Sequence, residues 1–334
     1  MAAPRRNSVE SILQSTIDTL NLVCQQLKDD TTSNQTEENF NKDEYWKTVD
    51  GATKLVSHEC TKLCMVFNKP PLPSVEECQG LVNSLESACI ALLSTYCKYP
   101  ISLGCSLHKD MYFCILNIFE AVKDLCIEAK AQRSAGQLKS VGTVWEKCNI
   151  LQSLPKDNKD IVLVIFRDQL NIVQDALEEL QQNIENENES NIEDLNPFNG
   201  FRLQPSSWTE ENRLVLAPSS GLIKTARICI KKINKAIGSR GSSDSENLIT
   251  ELDHMADLVK SVSILVDDFV LSLYPPMNYA AVQQHAEALK DHLLKLLDKT
   301  GQCHFCREDD VQWIDFLKNA VNHNYGKIND LTNN

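Results

Sequence analysis

Asp157-Asn-Lys-Asp-Ile161-Val-Leu-Val-Ile165-Phe-Arg-Asp168-Gln-Leu-Asn-Ile172-Val-Gln-Asp-Ala176-Leu-Glu-Glu-Leu180-Gln-Gln-Asn-Ile184 holds the choice between a fold with a sheet and one without. Read locally, the β-branched run Ile161 to Ile165 is a buried strand, because such side chains favour the pleated backbone. A strand of that kind ends within about eight residues. Here apolar residues continue at three- and four-residue steps through Ile172, Ala176, Leu180 and Ile184, with Asp168 in the same phase. That spacing lines one face of a helix. The segment is therefore expected to be one long helix capped by Asp157.

The same period extends in both directions. Ile12, Leu13, Thr16, Ile17, Leu20, Val23, Cys24 and Leu27 form one stripe, and Tyr45, Val49, Ala52, Val56, Cys60, Leu63 and Phe67 another. Pro70, Pro71 and Pro73 break the chain, since proline lacks the amide donor and disfavours helix before it. Ser74-Val-Glu-Glu77 then reads as a capping box opening a helix through Cys78, Leu85, Cys89 and Tyr96. Further helices carry Met111 to Leu125 and Val144 to Leu151.

Between Glu185 and Pro205 the period lapses into an acidic, asparagine-rich stretch with Pro197 and Gly200. Beyond it Thr209 caps a helix expected to strain or break at Pro218, followed by a loop from Gly238 to Ser243. Ser243-Asp-Ser-Glu246 reads as a second capping box. Pro275 and Pro276 stop its helix, and two more follow, one ending at Gly301 and one carrying Trp313 to Leu331. The expected fold is all-α: two helical bundle domains, residues 1–184 and 207–334, joined by an acidic linker at 185–206.

Charge narrows the functional classes. The chain of 334 residues carries a formal net charge of −13, and no segment of domain size is basic, which argues against direct nucleic-acid binding. No apolar run approaches the roughly 20 residues of a membrane span, and no signal peptide is expected at the start. Thirteen cysteines look like a disulfide framework, but the number is odd. Cys24, Cys60, Cys64, Cys78, Cys89, Cys114, Cys126, Cys148 and Cys229 fall on apolar helical phases, where a reduced thiol acts as a small hydrophobe.

Few motifs carry chemistry. His285-Ala-Glu287 with Cys303-His-Phe-Cys306 echoes the zinc deaminase pattern, yet Gln302 stands where that pattern needs proline and the supporting strands are missing. One Cys-x-x-Cys with His304 lacks a fourth ligand, so no metal, catalytic residue or cofactor is expected. Leu13, Leu20 and Leu27 repeat every seven residues, too briefly for a coiled coil, and are expected in a bundle core. Lys224, Arg227, Lys231, Lys232, Lys235 and Arg240 form a basic face opposite Ile223, Ile230, Ile233 and Ile237. Of these, Lys224, Arg227, Lys231 and Lys235 are the candidate partner-binding residues.

Three segments carry a family resemblance: Glu38-Asn-Phe-Asn-Lys-Asp-Glu-Tyr-Trp46 with Val66-Phe67 and Pro71-Leu-Pro-Ser74; Pro155-Lys-Asp-Asn-Lys159; and Val266-Asp-Asp-Phe-Val-Leu-Ser-Leu-Tyr-Pro-Pro-Met277. In this order, with the acidic middle, the chain resembles the cyclin-D-binding protein family, also called the maternal Id-like molecule family. The resemblance implies a two-part helical architecture like the bundles of talin, vinculin and α-catenin. It also implies a non-enzymatic adaptor or inhibitor that sequesters D-type cyclins and helix-loop-helix transcription factors, restraining the cell cycle and transcription. Its expected location is cytoplasmic and nuclear. The alternative is a cytoskeletal or adhesion scaffold, which the fold analogy alone does not separate from the first. The segments themselves read as cap, turn and core positions, and none of the residues preceding the eleven prolines is Ser or Thr.

Overall fold

The computed structural model describes residues 8–29, 40–193 and 207–333. Among them every long element is an α-helix: α1 (Val9–Asp29), α2 (Lys42–Phe67), α3 (Val75–Tyr96), α4 (Cys105–Lys130), α5 (Ser134–Ser153), α6 (Asn158–Glu193), α7 (Glu210–Arg240), α8 (Glu246–Ser272), α9 (Tyr279–Gln302) and α10 (Glu308–Thr332). Helices of this length gain most of their stability from packing an apolar face rather than from propensity. They do so in two units, divided after Asp157.

In the first unit the packing order runs α1, α4, α5, α2, α3 and back to α1, a closed ring of five helices. Phe119, Leu63, Leu85, Leu92 and Met111 are fully buried in it, and Leu13, Leu20 and Leu27 join this core. The seven-residue leucine repeat is thus bundle core. Each such side chain contributes about 1.5–3 kcal/mol relative to exposure. The second unit closes a ring in the order α6, α8, α9, α10, α7, around Phe166, Phe269 and Phe305.

Helix α6 contains the whole Ile161 to Ile165 run, so the helical continuation decides its form. Its core stripe holds the expected phase at Ile161, Ile165 and Leu180 and shifts by one residue between them. Ile161, Phe166, Val173, Leu177 and Leu180 are buried, whereas Ile172 is 41% exposed.

Four expectations need correcting. Packing does not end the first unit at residue 184: α6 packs against α7 and α8, whose apolar faces cover its own. Of the expected linker 185–206, residues 185–193 extend α6. Residues 194–206 lie outside the described residues. Pro218 does not break α7, which runs through it and on to Arg240. Leu214, whose carbonyl loses its helical donor to the proline, is 61% exposed, on a turn where water can take that bond. The second capping box does not form either. Helix α8 starts at Glu246 after Ser245, and the Ser243 hydroxyl instead accepts from the Lys159 amide at 3.2 Å.

Candidate partner-binding surfaces

The basic residues of α7 divide into two groups. Lys224, Lys231 and Lys235 are exposed and, at 3.6 residues per turn, fall within about 40° of one another on the helix. Ile223, Ile230, Ile233 and Ile237 are buried on the opposite side. Arg227 is drawn toward α6, where its guanidinium donates to Gln174 Oε1 and its Nε is buried without a protein partner. Arg240 turns inward, donating from Nε to the Phe305 carbonyl at 2.7 Å and pairing with Asp310. Lys224, Lys231 and Lys235 therefore present a solvated cationic stripe with exposed Lys232 beside it, whereas Arg227 and Arg240 serve the bundle.

A second surface was not visible as a motif. Between α2 and α3 lies a groove of ≈470 Å³, walled by Val66, by Pro71, Leu72 and Pro73 of the connecting turn, and by Gly80 and Leu81. The turn is shaped by its prolines, and α3 is set by a capping box: Ser74 Oγ accepts from the Glu77 amide at 3.2 Å while the Ser74 amide donates to Glu77 Oε2 at 2.8 Å. Those bonds from Ser74 hold the Glu77 carboxyl below its ordinary value. Apolar side chains stay open to water here, with Val66 37% and Leu72 43% exposed. Deeper in the groove, Glu59 is only 6% exposed. One of its oxygens takes a 2.7 Å bond from Lys62 Nζ, and the other is buried with no protein partner. Sequence reading placed Val66 and Pro71 to Ser74 in a family-typical segment but treated them as a turn. Glu59 gave no signal, because an acid between two core positions of a helix looks solvated.

The cysteine–histidine cluster at the end of α9 is structural. His304 Nε2 accepts from the Ser242 amide at 3.0 Å, leaving Nδ1 to donate to Glu251 Oε2 at 2.7 Å. Both ring nitrogens are committed, so neither is free to ligate a metal. Cys303 Sγ donates to the Lys299 carbonyl, and burial pushes its thiol up to about 12. His285 stands about 27 Å back along α9 from Cys303, at 1.5 Å per residue, far outside one coordination sphere. Among the described residues no group of three or more His, Cys, Asp or Glu could hold a metal ion. The nine cysteines expected in the core are all buried. Burial drives the thiols of Cys126 and Cys229 up to about 12.

The segments that carry the family resemblance are clasps. Trp208 donates from Nε1 to the Leu273 carbonyl at 2.6 Å, and Asn183 Nδ2 donates to the Tyr274 hydroxyl at 2.8 Å. Asn212, the third residue of α7, donates to the Tyr279 hydroxyl at 3.0 Å. The Leu273 to Tyr279 turn thus ties α6, α7, α8 and α9 together. In the first unit Lys42 pairs with Asp157 at 2.7 Å and Lys156 lies over the Trp46 ring, so two of the three segments meet. Glu38 and Asn39 of the first segment lie outside the described residues.

The described residues thus form two closed helical rings, with an open interhelix groove in the first and a cationic stripe on the second. The family model described as "Grap2 and cyclin-D-interacting, N-terminal" matches residues 48–186, and its C-terminal counterpart matches residues 196–298. The chain is 36% identical over 300 residues to the cyclin-D1-binding protein 1 homolog of Xenopus laevis, covering 88% of this chain and 90% of that one. To the Danio rerio homolog it is 34% identical, with 90% and 89% covered, and to cyclin-D1-binding protein 1 of Homo sapiens 29%, with 89% and 87% covered. The chain belongs to the cyclin-D1-binding protein 1 family.

Proposed function

We propose that the chain is a non-enzymatic adaptor that binds and sequesters D-type cyclins and helix-loop-helix transcription factors, slowing cell-cycle progression and transcription from the cytoplasm and nucleus. The observation that carries this reading is similarity along about nine-tenths of both chains to relatives named for cyclin D1 binding. A net charge of −13 with no basic domain favours action through protein partners over contact with DNA. The cationic stripe Lys224, Lys231 and Lys235 is the electrostatic part of the binding surface, steering acidic partners toward α7.

The second reading is a scaffold of the talin, vinculin and α-catenin kind, favoured by the two five-helix rings. Affinity capture on the full chain, read by mass spectrometry, separates the two. Recovery of D-type cyclins and helix-loop-helix factors supports the adaptor. Recovery of actin and adhesion proteins in their place rejects it.

A further inference from the structure

The groove between α2 and α3 supports a more specific statement, which rests on the adaptor reading above. We propose that it docks a helical segment of a partner protein presenting two apolar side chains with one arginine or lysine between them. Shape supplies the first reason. A groove between two antiparallel neighbours of a closed ring, with Val66 and Leu72 left open to water, matches the apolar edge of an incoming helix. Isolated exposed apolar residues are ordinary, but a contiguous set walling a concave surface marks an interaction site.

Charge supplies the second reason and fixes the occupant. The groove holds two carboxylates, Glu59 and Glu77, against the single ammonium of Lys62. Glu77 is occupied by Ser74. Glu59 has one oxygen paired with Lys62 and one buried with no donor from the protein, although a buried acceptor normally finds one. Lys62 is a long side chain at the surface, its side chain 46% exposed, and can yield room to a second cation. A guanidinium entering along the apolar wall brings the missing donor as a charge-assisted bond. An acidic segment would add repulsion to a carboxylate already short of a partner.

Gly80 supplies the third. It lies on the groove side of α3, and a Cβ built there meets nothing within 4 Å. Glycine inside a helix costs stability relative to alanine, so its presence here weakens α3 while keeping one wall low. A long side chain at this position fills the groove without straining the helix.

The test selects peptides from a displayed library of randomised amphipathic helices on the full-length chain, then measures them against variants. Enrichment of one Arg or Lys between apolar positions is expected. Gly80→Met should weaken the selected peptides at least about tenfold with thermal unfolding unchanged or raised, and Gly80→Ala should bind them as wild type does. Glu59→Gln should erase the preference of a selected peptide over its Arg→Gln counterpart. An empty selection, a pool without the cation, or equal binding to Gly80→Met overturns the proposal. So does self-association of the chain that Gly80→Met abolishes, because the occupant is then a second copy. The selection contains no cyclin, so failures separate cleanly. Cyclin capture unaffected by Gly80→Met rejects the groove alone, whereas groove-directed peptides without capture of cyclins or helix-loop-helix factors reject the adaptor's partners alone.

Discussion

The side-chain amide of Asn158, at the first turn of α6, donates a 3.0 Å hydrogen bond to Asp253 Oδ1 of α8. Asn158 is 1% exposed, and the next amide, of Lys159, is bonded to the Ser243 hydroxyl. The start of α6 is therefore fastened to the second unit before its apolar stripe begins.

A fragment of residues 158–334 should then fold alone, with a cooperative urea transition followed by circular dichroism. One of residues 207–334 lacks α6, leaves the facing sides of α7 and α8 uncovered, and should show no cooperative transition. In the full chain, Asn158→Ala should cost about 1–3 kcal/mol, because the part-buried bond to the Asp253 carboxylate is then left unmade. Equal folding of both fragments would place the boundary at the acidic stretch instead.

Thiol chemistry should follow burial. In the native chain Cys97 and Cys105, the two exposed cysteines, should react first with iodoacetamide at pH 8, with half-exposed Cys306 behind them. Cys126 and Cys229, whose thiols are pushed up to about 12, should react only on unfolding. Peptide mapping by mass spectrometry reads the order, and early labelling of Cys229 would contradict the packing of α7.

Acid should loosen the junction between α8 and the end of α9. Burial alone would raise the Glu251 carboxyl, but bonds from the His304 amide and ring hold it below its ordinary 4.5. A carboxyl lowered in the folded state contributes stability that is present above 4.5 and is lost as pH falls through the lower folded value. Urea midpoints of wild type and Glu251→Gln should thus differ at pH 6 and converge toward pH 3. A constant difference across that range would remove the linkage.

Neutralising Lys224, Arg227, Lys231 and Lys235 together should slow association with an acidic partner and flatten its salt dependence, with dissociation little changed. Each exposed pair is worth about 0–1 kcal/mol, so the total loss should stay within a few. Arg227→Gln alone should behave differently, lowering stability through its lost bond to Gln174 more than it slows association. Stopped-flow binding at two salt concentrations, beside urea melts, distinguishes them.

An active cyclin D–kinase complex should leave the chain unphosphorylated, since no Ser or Thr precedes any of its eleven prolines. Labelled phosphate incorporated at stoichiometric level would show recognition without the usual following proline.

Helix identity and most caps were legible because they rest on local rules. The Ser74 box forms, Thr209 caps α7, and the β-branched run at Ile161 yields to helical period. What needed the structure was the choice among partners. Ser243 satisfies the signature of a cap, yet it serves Lys159, a residue 84 positions away. By period alone the stripe of α6 runs over Ile172 and Ala176, whereas packing against α7 and α8 buries Val173 and Leu177. Lys224, Lys231 and Lys235 were found by charge pattern, whereas the groove at Glu59 arises from two helices meeting across a proline turn, and no local rule reports that.

The family's two sequence blocks part between residues 186 and 196, while the packing parts after Asp157. Helix α6 is therefore continuous in chain with one half and seated in the core of the other. A protease cutting within residues 194–206 severs the polypeptide but not the assembly, because the α6 stripe of Phe166, Val173, Leu177 and Leu180 stays inserted between α7 and α8. The nicked protein should migrate as one species until denatured, and its two fragments, expressed apart, should complement each other. Released alone, the N-terminal fragment bears a bare apolar helix in search of a socket, which makes a premature stop near residue 190 more dangerous than one after Asp157.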